Sequence, residues 1–339
     1  MRALMVDPAD AGSLSLDEVP DPVPLAGELL VEGLAIGICG TDREIVRGEF
    51  GTAGRLVLGH ESLGRVLTPA GDFEVGDYVV GVVRRPDPVP CPACSRGEFD
   101  MCRNGEYTER GITGIDGYGS TLWTVPVDFT VRLDPVLHSV GVLVEPTSIV
   151  VKAWEQISRI SARSWFEPST VLITGAGPIG LLAAMIGVNR GLDVHVLDQA
   201  TSGPKPSLVE RLGATYHTSM PTKLFPDVAI EATGAPRLVF DVLDSVARNG
   251  IVCLTGVPSE ERLTVDAGLL NRNMVLSNQV VFGTVNSNLW HYRAAAEILS
   301  RVDLSWLADL ITRRVPLDGF VEAFETRPDD VKVVLDLSG

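Results

Sequence analysis

A β-branched segment followed by three spaced glycines constrains this chain more than any other feature. Residues Thr170–Thr174 (TVLIT) lead directly into Gly175, Gly177 and Gly180, and an apolar run of helical length follows from 181 to 188. Glycines at this spacing allow a tight turn and a close approach of the backbone to a pyrophosphate, while the helix start offers unpaired N–H groups. The strand before and the helix after favour a dinucleotide-binding turn over a purely structural glycine turn.

The segments after this turn alternate between strand-like and helix-like patterns. Strands are predicted at Asp193–Leu197, Val228–Glu231 and Ile251–Leu254, with a helix at Arg237–Ala247 among them. Such alternation is typical of a doubly wound parallel sheet with helices on both faces. We therefore predict a Rossmann domain in this part of the chain.

An acidic residue, Asp198, stands at the end of the strand that follows the glycine turn. A carboxylate there accepts hydrogen bonds from ribose hydroxyls and repels a 2′-phosphate, so it favours NAD over NADP. The alternatives are a solvated strand-end aspartate, and a phosphate held by Thr201, Ser202 or Lys205. The cofactor-binding residues predicted in this domain are Gly175, Gly177, Pro178, Ile179, Gly180, Asp198, Thr233 and Gly256.

The part of the chain before about residue 135 has a different pattern. Short apolar runs such as Glu28–Ala35 and Asp77–Val83 are separated by Gly, Pro and Asp, which is typical of strands in a compact β-rich domain. The polar segment Arg84–Arg110 interrupts this pattern and needs something other than a core to hold it together. A length of 339 residues is sufficient for two domains.

Three residues in the β-rich part are candidate ligands of a catalytic metal ion. Cys39 follows a strand-like run, and His60 and Glu61 are adjacent. Thiolate and imidazole suit zinc, one carboxylate from elsewhere can complete the set, and a catalytic site keeps one position open. Alone, Cys39 is more often a buried thiol and His60 a core histidine. Their occurrence upstream of a dinucleotide fold favours zinc.

A second cysteine cluster lies in the polar segment. Cys91 and Cys94 form a C-x-x-C motif, and Cys102 follows eight residues later. This pattern is typical of a closed structural zinc site, which would replace a core in that segment; free thiols are the alternative. Three aspartates are candidates for the fourth ligand: Asp87, Asp100 and Asp116.

Charge and composition restrict the partners and the compartment. The formal net charge of −16 argues against nucleic acid as a partner. No apolar window is long enough to span a membrane, and the segment Met1–Pro8 does not resemble a signal peptide. Three of the five cysteines cluster, which favours metal binding in the reducing cytoplasm over disulfides. We expect a cytoplasmic protein without nucleic-acid or membrane partners.

Taken together, these motifs resemble the medium-chain, zinc-dependent dehydrogenase/reductase superfamily over nearly the whole chain. The matching segments are GICGTD at Gly37–Asp42, GHE at Gly59–Glu61, the cysteine cluster, EP at Glu145–Pro146 and GAGPIG at Gly175–Gly180. The resemblance implies an α/β protein with a GroES-like β-rich catalytic domain around a Rossmann domain. The catalytic domain would comprise residues 1–150 and 285–339, and the Rossmann domain residues 151–284.

Within the superfamily, the chain is most similar to the glucose 1-dehydrogenases first known from archaea. The specific segments are CGTDREI at Cys39–Ile45, RRP at Arg84–Pro86, NGEYTERGITGIDGYG at Asn104–Gly119 and GTVN at Gly283–Asn286. Simple alcohol dehydrogenases do not share these segments.

The resemblance also implies roles for individual residues. The implied ligands of the catalytic zinc are Cys39, His60 and Glu145. Glu61 would lie beside the metal and touch either the metal or the substrate, and Thr41 would hydrogen-bond the reacting hydroxyl. Glu109 and Asn286 would contact sugar hydroxyls or the nicotinamide side of the cofactor.

Several positions depart from the family pattern. Pro88 stands where most members have a fourth cysteine in the cysteine lobe, the segment 87–102, and Asp87 beside it is the ligand we predict in its place. Glu44 replaces the histidine relay of liver-type alcohol dehydrogenases, so proton release must follow another route. Val83 and Ile149 stand where some glucose dehydrogenases have asparagine and aspartate as sugar contacts.

These observations predict a zinc-dependent NAD(P) dehydrogenase that acts on a sugar or polyol hydroxyl, with glucose oxidised to gluconolactone as the leading hypothesis. Because Val83 and Ile149 replace two polar sugar contacts, the alternative substrates are another polyol, an amino-cyclitol or a secondary alcohol. A non-catalytic relative is disfavoured because all candidate ligands of the catalytic zinc remain. The resemblance implies a homodimer or homotetramer, and Gln279–Phe282 is a candidate edge strand for pairing.

Overall fold

The computed structural model describes residues 1–257 and 263–338. The chain forms two compact units, Met1–Ser148 with Asn286–Gly339, and Ile149–Val285. The elements up to residue 161 are β1 Arg2–Val6, β2 Ser15–Glu18, β3 Glu28–Ile38, α1 Gly40–Val46, β4 Leu56–Val57, β5 Glu61–Thr68, β6 Tyr78–Gly81, β7 Arg84–Arg85, β8 Thr108–Arg110, β9 Gly114–Ile115, β10 Leu122–Pro126, β11 Thr130–Arg132 and α2 Val144–Ser161.

The elements from residue 170 to 283 are β12 Thr170–Thr174, α3 Pro178–Asn189, β13 Asp193–Leu197, α4 Pro204–Arg211, β14 Thr215–His217, β15 Val228–Glu231, α5 Pro236–Ser245, β16 Ile251–Leu254, α6 Ala267–Ser277 and β17 Val280–Gly283. The last elements are α7 Leu289–Leu299, α8 Leu304–Leu310, β18 Ile311–Pro316, α9 Phe320–Ala323 and β19 Lys332–Asp336.

The strand β3 organises the first unit. Its sequence ELLVEGLAIGI alternates in its first half and is fully buried over its last four residues, as expected for a strand that enters a core. It lies in a seven-stranded sheet of order β11-β6-β5-β3-β19-β18, and β10 also pairs with β3. Because β19 comes from the chain's end, both chain ends contribute to this sheet.

The second unit is built on a parallel six-stranded sheet of order β14-β13-β12-β15-β16-β17. Its central strands are apolar and buried, as parallel strands covered on both faces are. The helix α3 follows the glycine turn, and eight of its residues from Gly180 to Gly187 are buried. The predicted α/β class with a doubly wound parallel sheet is confirmed.

No helix in the described ranges, 1–257 and 263–338, is both long enough and apolar enough to cross a membrane. All five cysteines are free thiols: Cys39, Cys91, Cys94, Cys102 and Cys253. Cys253 is completely buried in β16.

Candidate active site and metal centres

Strand register brings the candidate catalytic residues together. In the first unit, Gly37 near the end of β3 pairs with Glu61 at the start of β5, and Ile38 pairs with Val333 in β19. Cys39 follows β3 directly, and His60 immediately precedes β5. Two separate sequence regions and strand β19 therefore meet at one end of three neighbouring strands, β5, β3 and β19.

Cys39 and His60 are in direct contact and share a third partner, Asp42. Cys39 Sγ lies 3.2 Å from His60 Nε2, and the Asp42 carboxylate lies 3.1 Å from His60 Nδ1. Asp42 also accepts a hydrogen bond of 2.9 Å from the Cys39 N–H, which caps the start of α1. A carboxylate on Nδ1 orients the ring so that Nε2 is the metal-binding atom.

The charges around this histidine offset its burial. Burial disfavours the charged ring, but the Asp42 carboxylate and the Cys39 thiol group outweigh it and raise the pKa of His60 well above its usual range. Burial likewise opposes ionisation of Asp42, yet His60 and the Cys39 N–H keep the pKa of that carboxyl group low. The metal-free site therefore holds a proton that a metal ion would displace.

Glu61 forms a buried ion pair with Lys332. Their Oε1 and Nζ atoms lie 2.5 Å apart, and both side chains are at most 2% exposed. Lys332 Nζ also donates to the Ile38 carbonyl at 3.3 Å. The second oxygen, Oε2, has no hydrogen-bond partner among the described residues, although it is buried. An unpaired buried carboxylate oxygen is costly unless a ligand or metal ion satisfies it.

This glutamate leaves no room for a side chain at Gly37. A Cβ atom there would lie 2.0 Å from Glu61 Oε2. A side chain at this position would displace the Glu61 carboxylate, which explains the glycine two residues before Cys39.

Glu145, at the start of α2, completes this cluster. One ligand atom each from His60, Glu61 and Glu145 lie within 4.8 Å of one another, and the same holds for Cys39, Asp42 and His60. Burial raises the pKa of Glu145 to about 7; the charge of Glu61 adds to the shift, while His60 and Lys332 oppose it.

The donor set of this cluster fits a zinc ion. Thiolate, imidazole and carboxylate groups are the ligands that catalytic zinc sites use, and three of them leave a fourth position for substrate. The two groups share His60, so Cys39 on one side and the two glutamates on the other have this histidine as a common neighbour. Thr41 is in the first turn of α1, two residues after Cys39, and is partly buried.

The second cluster lies between β7 and β8. Ligand atoms of Asp87, Cys91, Cys94 and Cys102 all lie within 4.8 Å of one another. Cys102 Sγ donates to Asp87 Oδ1 at 3.0 Å, while Asp87 Oδ2 is buried without a partner among the described residues. Three sulfur atoms and one carboxylate around a common point match a closed tetrahedral zinc site.

The local backbone favours a thiolate in this cluster. The N–H groups of Cys94 and Arg103 donate to Cys91 and lower the pKa of its thiol to about 6. Burial raises the pKa of Cys94 to about 11. The other two aspartates considered for the fourth position lie elsewhere: Asp100 accepts from Asn288, and Asp116 accepts from the Val57 N–H.

The two residues implied as sugar contacts, Glu109 and Asn286, are hydrogen-bonded to each other. The Asn286 amide donates to Glu109 Oε1, and Arg84 donates to the same oxygen from Nε and Nη2 at 3.0 and 2.9 Å. Glu109 and Arg84 are buried. Asn286 has a positive φ of 61°, a conformation that asparagine tolerates better than most residues.

In the second unit, the glycine turn has the close contacts that glycine alone permits. Gly175 has a φ of 89°, and a Cβ atom on Gly180 would lie 1.8 Å from the Gly175 carbonyl oxygen. Gly177 caps α3, and Pro178 and Ile179 form its first turn. The free N–H groups at the start of α3 therefore lie at the glycine turn, where a pyrophosphate group could accept hydrogen bonds from them.

The Asp198 carboxylate is engaged on both oxygens. Oδ2 accepts from the Ala176 N–H at 2.7 Å, Oδ1 accepts from the Ala200 N–H at 2.9 Å, and Lys205 Nζ lies 3.1 to 3.2 Å from both. Burial opposes ionisation, but these donors hold the pKa of Asp198 below its usual value. The sequence predicted that this carboxylate accepts hydrogen bonds from ribose hydroxyls, and in the structure it is also paired with a lysine.

Thr233 and Gly256 belong to adjacent loops at the strand ends. The fully buried Glu231 accepts from the Thr233 hydroxyl and N–H and from the Gly234 N–H. A Cβ atom on Gly256 would lie 2.1 Å from the Gly234 nitrogen. The N–H and hydroxyl groups of Thr233 both donate to Glu231. The side of Thr233 that faces Gly175 in the glycine turn is therefore its Cγ2 methyl group.

Three residues in these sites were not identified from the sequence: Asp42, Lys332 and Glu231. Lys332 and Glu231 each carry a signal that is visible in retrospect. Lys332 is a charged residue inside the apolar strand KVVLD, and Glu231 ends the buried strand VAIE. A charge within an apolar strand indicates a buried partner, but the identity of that partner depends on strand register.

Two family models match the chain. The model described as the alcohol dehydrogenase GroES-like domain matches residues 25–135, and the model described as the glucose dehydrogenase C-terminus matches residues 138–337. The predicted combination of a GroES-like domain and a Rossmann domain is thereby confirmed.

Individual relatives match over the full chain. The glucose 1-dehydrogenase of Methanocella arvoryzae is 37% identical over 99% of both chains, and glucose 1-dehydrogenase 1 of Haloterrigena turkmenica is 38% identical over 97% of this chain and 95% of the relative. Among solved structures, Haloferax mediterranei glucose dehydrogenase in complex with NADP, Zn and gluconolactone is similar with a TM-score of 0.92, at 34% identity and 100% coverage of both chains.

Proposed function

We propose that this chain, which belongs to the glucose 1-dehydrogenase family of the zinc-dependent medium-chain dehydrogenases, oxidises an aldose at its anomeric carbon, glucose to gluconolactone, with a nicotinamide cofactor. The observation that carries the proposal is the arrangement of Cys39, Glu61 and Glu145 around one shared residue, His60, in the first unit. The gluconolactone bound to the Haloferax relative supports the choice of substrate.

The chain's own residues prepare this chemistry. When bound, zinc supplies Lewis-acid polarisation of the substrate hydroxyl, which lowers its pKa, and the nicotinamide supplies a hydride acceptor. Cys39, His60 and Glu145 would hold the metal, and Asp42 fixes the histidine ring. The Thr41 hydroxyl group would orient the reacting hydroxyl. Burial raises the pKa of Glu145 to about 7, so a metal ion bound there would displace a proton from this carboxyl group near neutrality.

Lys332 gives Glu61 a fixed position beside the metal ligands. Its ion pair with Oε1 leaves Oε2 as an acceptor for either metal or substrate. Glu44 occupies the place of the histidine relay known in liver-type enzymes. We therefore place the proton acceptor among the carboxyl groups of this cluster.

The test is a panel of aldoses, polyols and secondary alcohols, scored by NAD(P)H formation and by identification of the product. We expect aldoses to give the highest kcat/KM and lactones as products. A polyol or secondary alcohol with a higher kcat/KM than every aldose would overturn the choice of substrate. It would leave the zinc-dependent oxidation intact.

One observation favours such a second substrate class. Val83 is buried and apolar in a position where some relatives bind sugar with an asparagine. A polyol or secondary alcohol that presents an alkyl surface there would lose no hydrogen bond. Substitution Val83→Asn separates the two classes, because it should raise activity on glucose only if glucose is bound in the family's manner.

For the cofactor, the sequence favoured NAD, and we propose instead that the chain accepts NADP as well as NAD. The support is the ion pair of Asp198 with Lys205 and the two N–H groups on the same carboxylate, which neutralise the charge that would repel a 2′-phosphate. The Haloferax relative was solved with NADP. Comparison of kcat/KM for the two cofactors tests this, and a preference for NAD above a thousandfold would contradict it.

We also propose that the cluster of Asp87, Cys91, Cys94 and Cys102 binds a structural zinc ion. The buried Asp87 Oδ2 without a partner and the lowered pKa of Cys91 support it. Two zinc ions per chain are then expected in the purified protein by metal analysis. One ion per chain that disappears in a Cys39→Ser variant would contradict the second site.

For the assembly, we propose pairing of two copies along β17. Within the described residues this strand forms one edge of the six-stranded sheet, and the helix before it, α6, has no buried residue and exposes Val275 and Leu276. Unpaired edges with apolar neighbours favour association. A dimer or tetramer by light scattering is expected, and a monomer would contradict it.

Reduced, metal-binding cysteines further support a cytoplasmic location.

A further inference from the structure

Asp100 connects the cysteine lobe to the residues proposed to bind the sugar. It lies in a short 3-10 turn, Phe99–Met101, between two candidate metal ligands of the lobe, Cys94 and Cys102. Its side chain is 6% exposed although it carries a carboxylate. A buried carboxylate is retained only where hydrogen bonds satisfy it.

Two contacts of Asp100 lead towards the proposed sugar site. Its Oδ1 accepts a hydrogen bond of 2.9 Å from Asn288 Nδ2, and its backbone carbonyl accepts one of 3.3 Å from Arg84 Nη1. Asn288 lies two residues after Asn286. Arg84 donates to Glu109 through its other nitrogens. Asp100 therefore contacts both the segment that carries Asn286 and the cation that holds Glu109.

Arg84 is fixed from several sides. β7 and β8 pair Arg84 with Glu109 directly across the ladder, and the guanidinium carbon lies 3.7 Å from the centre of the Tyr107 ring. A planar guanidinium held by stacking and by several hydrogen bonds has little rotational freedom.

The result is an oriented carboxylate. Arg84 and Asn286 both donate to Oε1 of Glu109, and among the described residues no donor contacts its Oε2. One oxygen is thus used to fix the group, and the other retains its lone pairs for a hydroxyl donor. This is the arrangement that recognition of a sugar hydroxyl requires.

We infer that Asp100 is a positioning residue for sugar recognition, which acts through Asn288 and Arg84 to hold Asn286 and Glu109 in their binding geometry. The inference rests on the sugar oxidation proposed above. It assigns the cysteine lobe a second role beyond local stability, because a turn between two lobe ligands holds the substrate-binding pair.

The test exchanges the donor and the acceptor of the Asp100–Asn288 hydrogen bond. Asn288→Asp keeps the Oδ1 atom that caps α7 but sets two carboxylates against each other. We expect it to raise KM for the sugar by about tenfold, with KM for the cofactor within twofold of wild type. The double variant Asp100→Asn with Asn288→Asp restores a donor–acceptor pair and should return the sugar KM to within threefold of wild type.

The matched control is Glu98→Gln, which removes a charge from an exposed position of the same lobe. Zinc content and melting temperature are measured for every variant, so that loss of the fold is seen directly. If Asn288→Asp alone does not fold, the double variant decides. A sugar KM unchanged by Asn288→Asp, or one that stays raised in the folded double variant, would overturn the inference.

A separate variant distinguishes this inference from the function on which it rests. Glu109→Ala should raise the sugar KM by at least as much as Asn288→Asp does. If Glu109→Ala leaves the KM of every sugar unchanged, the proposed sugar contact itself fails. If Glu109→Ala raises the KM and Asn288→Asp does not, only the role of Asp100 fails.

Discussion

The two candidate metal clusters of the first unit are built in opposite ways. The lobe cluster takes all its ligand atoms from one segment, 87–102, and Asp87 is its only carboxylate. The catalytic cluster draws Cys39, His60 and Glu145 from distant parts of the chain. It also contains protein counter-charges, since Asp42 faces His60 and Lys332 faces Glu61.

This difference separates the two functions of a metal ion. The catalytic cluster retains paired charges without a metal, so its pocket is expected to persist when zinc is removed. The lobe has little apolar core and no cation among its four candidate ligands, so the ion itself would hold the lobe together. Loss of metal should therefore abolish chemistry at one site and structure at the other.

The largest expected effect comes from the catalytic cluster. Cys39→Ser should lower kcat by about a thousandfold or more, because the polarising ion is lost from the reacting hydroxyl. One zinc ion per chain should remain in the lobe. The measurement is steady-state kinetics together with metal analysis. The matched control Cys253→Ala removes a buried thiol from the other unit, and it should retain kcat; turnover in Cys39→Ser close to that of this control would contradict the account.

The next effect concerns the buried ion pair. Lys332→Met leaves the Glu61 carboxylate buried without a cation and should reduce the free energy of unfolding by about 4 kcal/mol. The double variant with Glu61→Gln removes both charges and should recover most of that loss. Urea unfolding at neutral pH measures both. If the free energy of unfolding of Lys332→Met lies within about 1 kcal/mol of wild type, the ion pair contributes no more than an exposed pair does. That result would contradict its burial.

In the lobe, the expected effect is on stability rather than on chemistry. Cys94→Ser should lower the free energy of unfolding by about 3 kcal/mol and remove one zinc ion per chain. The folded fraction should keep a kcat within a few-fold of wild type, unlike Cys39→Ser. Calorimetry with metal analysis tests the contrast. If kcat fell as far in Cys94→Ser as in Cys39→Ser, the assignment of a structural role to one cluster and a catalytic role to the other would be wrong.

A smaller effect follows from the raised pKa of Glu145. A carboxyl group with a folded pKa of about 7 and an unfolded value near 4.5 binds its proton more tightly in the folded state. Its contribution to stability is full below about pH 4.5 and is lost as pH rises through 7.

In the metal-free protein, Glu145→Gln should therefore be more stable than wild type by up to about 3 kcal/mol at pH 8 and nearly equal to it at pH 4. Urea unfolding of both proteins after chelation, across this pH range, gives the difference. An equal difference at both pH values would refute the shift.

The smallest effect concerns the cofactor. Lys205→Ala should lower the ratio of kcat/KM for NADP to that for NAD by about tenfold, because the Asp198 carboxylate then faces the 2′-phosphate without its cation. Lys223→Ala, at an exposed position of the same unit, is the matched control. A ratio unchanged between the two variants would exclude Lys205 as a cofactor-selecting residue.

The parts of the account that sequence could predict are those with local signals. The glycine turn at 175–180 lies between a recognisable strand and helix, and the α/β fold that it predicted is confirmed. The C-x-x-C motif of Cys91 and Cys94 likewise defines a cluster within one segment. Asp87 was singled out because it stands next to the position of a missing cysteine.

The parts that sequence could not predict depend on contacts between distant residues. The partner of Glu61 is Lys332, set by the pairing of β19 with β3. The Asp198 carboxylate was predicted to be free for ribose. The contact of Lys205 with this carboxylate depends on the conformation of the turn that leads into α4. The sequence pattern does not specify that conformation. The link from Asp100 to Asn288 joins residues far apart in the chain for the same reason.

Sugar oxidation by this chain is proposed to require a zinc ion held by Cys39, His60 and Glu145. The most direct measurement follows turnover of glucose with NADP during stepwise return of zinc to the chelated protein, beside Cys39→Ser treated in the same way. We predict that activity returns in wild type as zinc per chain is restored, with gluconolactone as the product, and that the variant stays inactive. Full turnover in the metal-free wild type, or recovery of the variant, would contradict the claim.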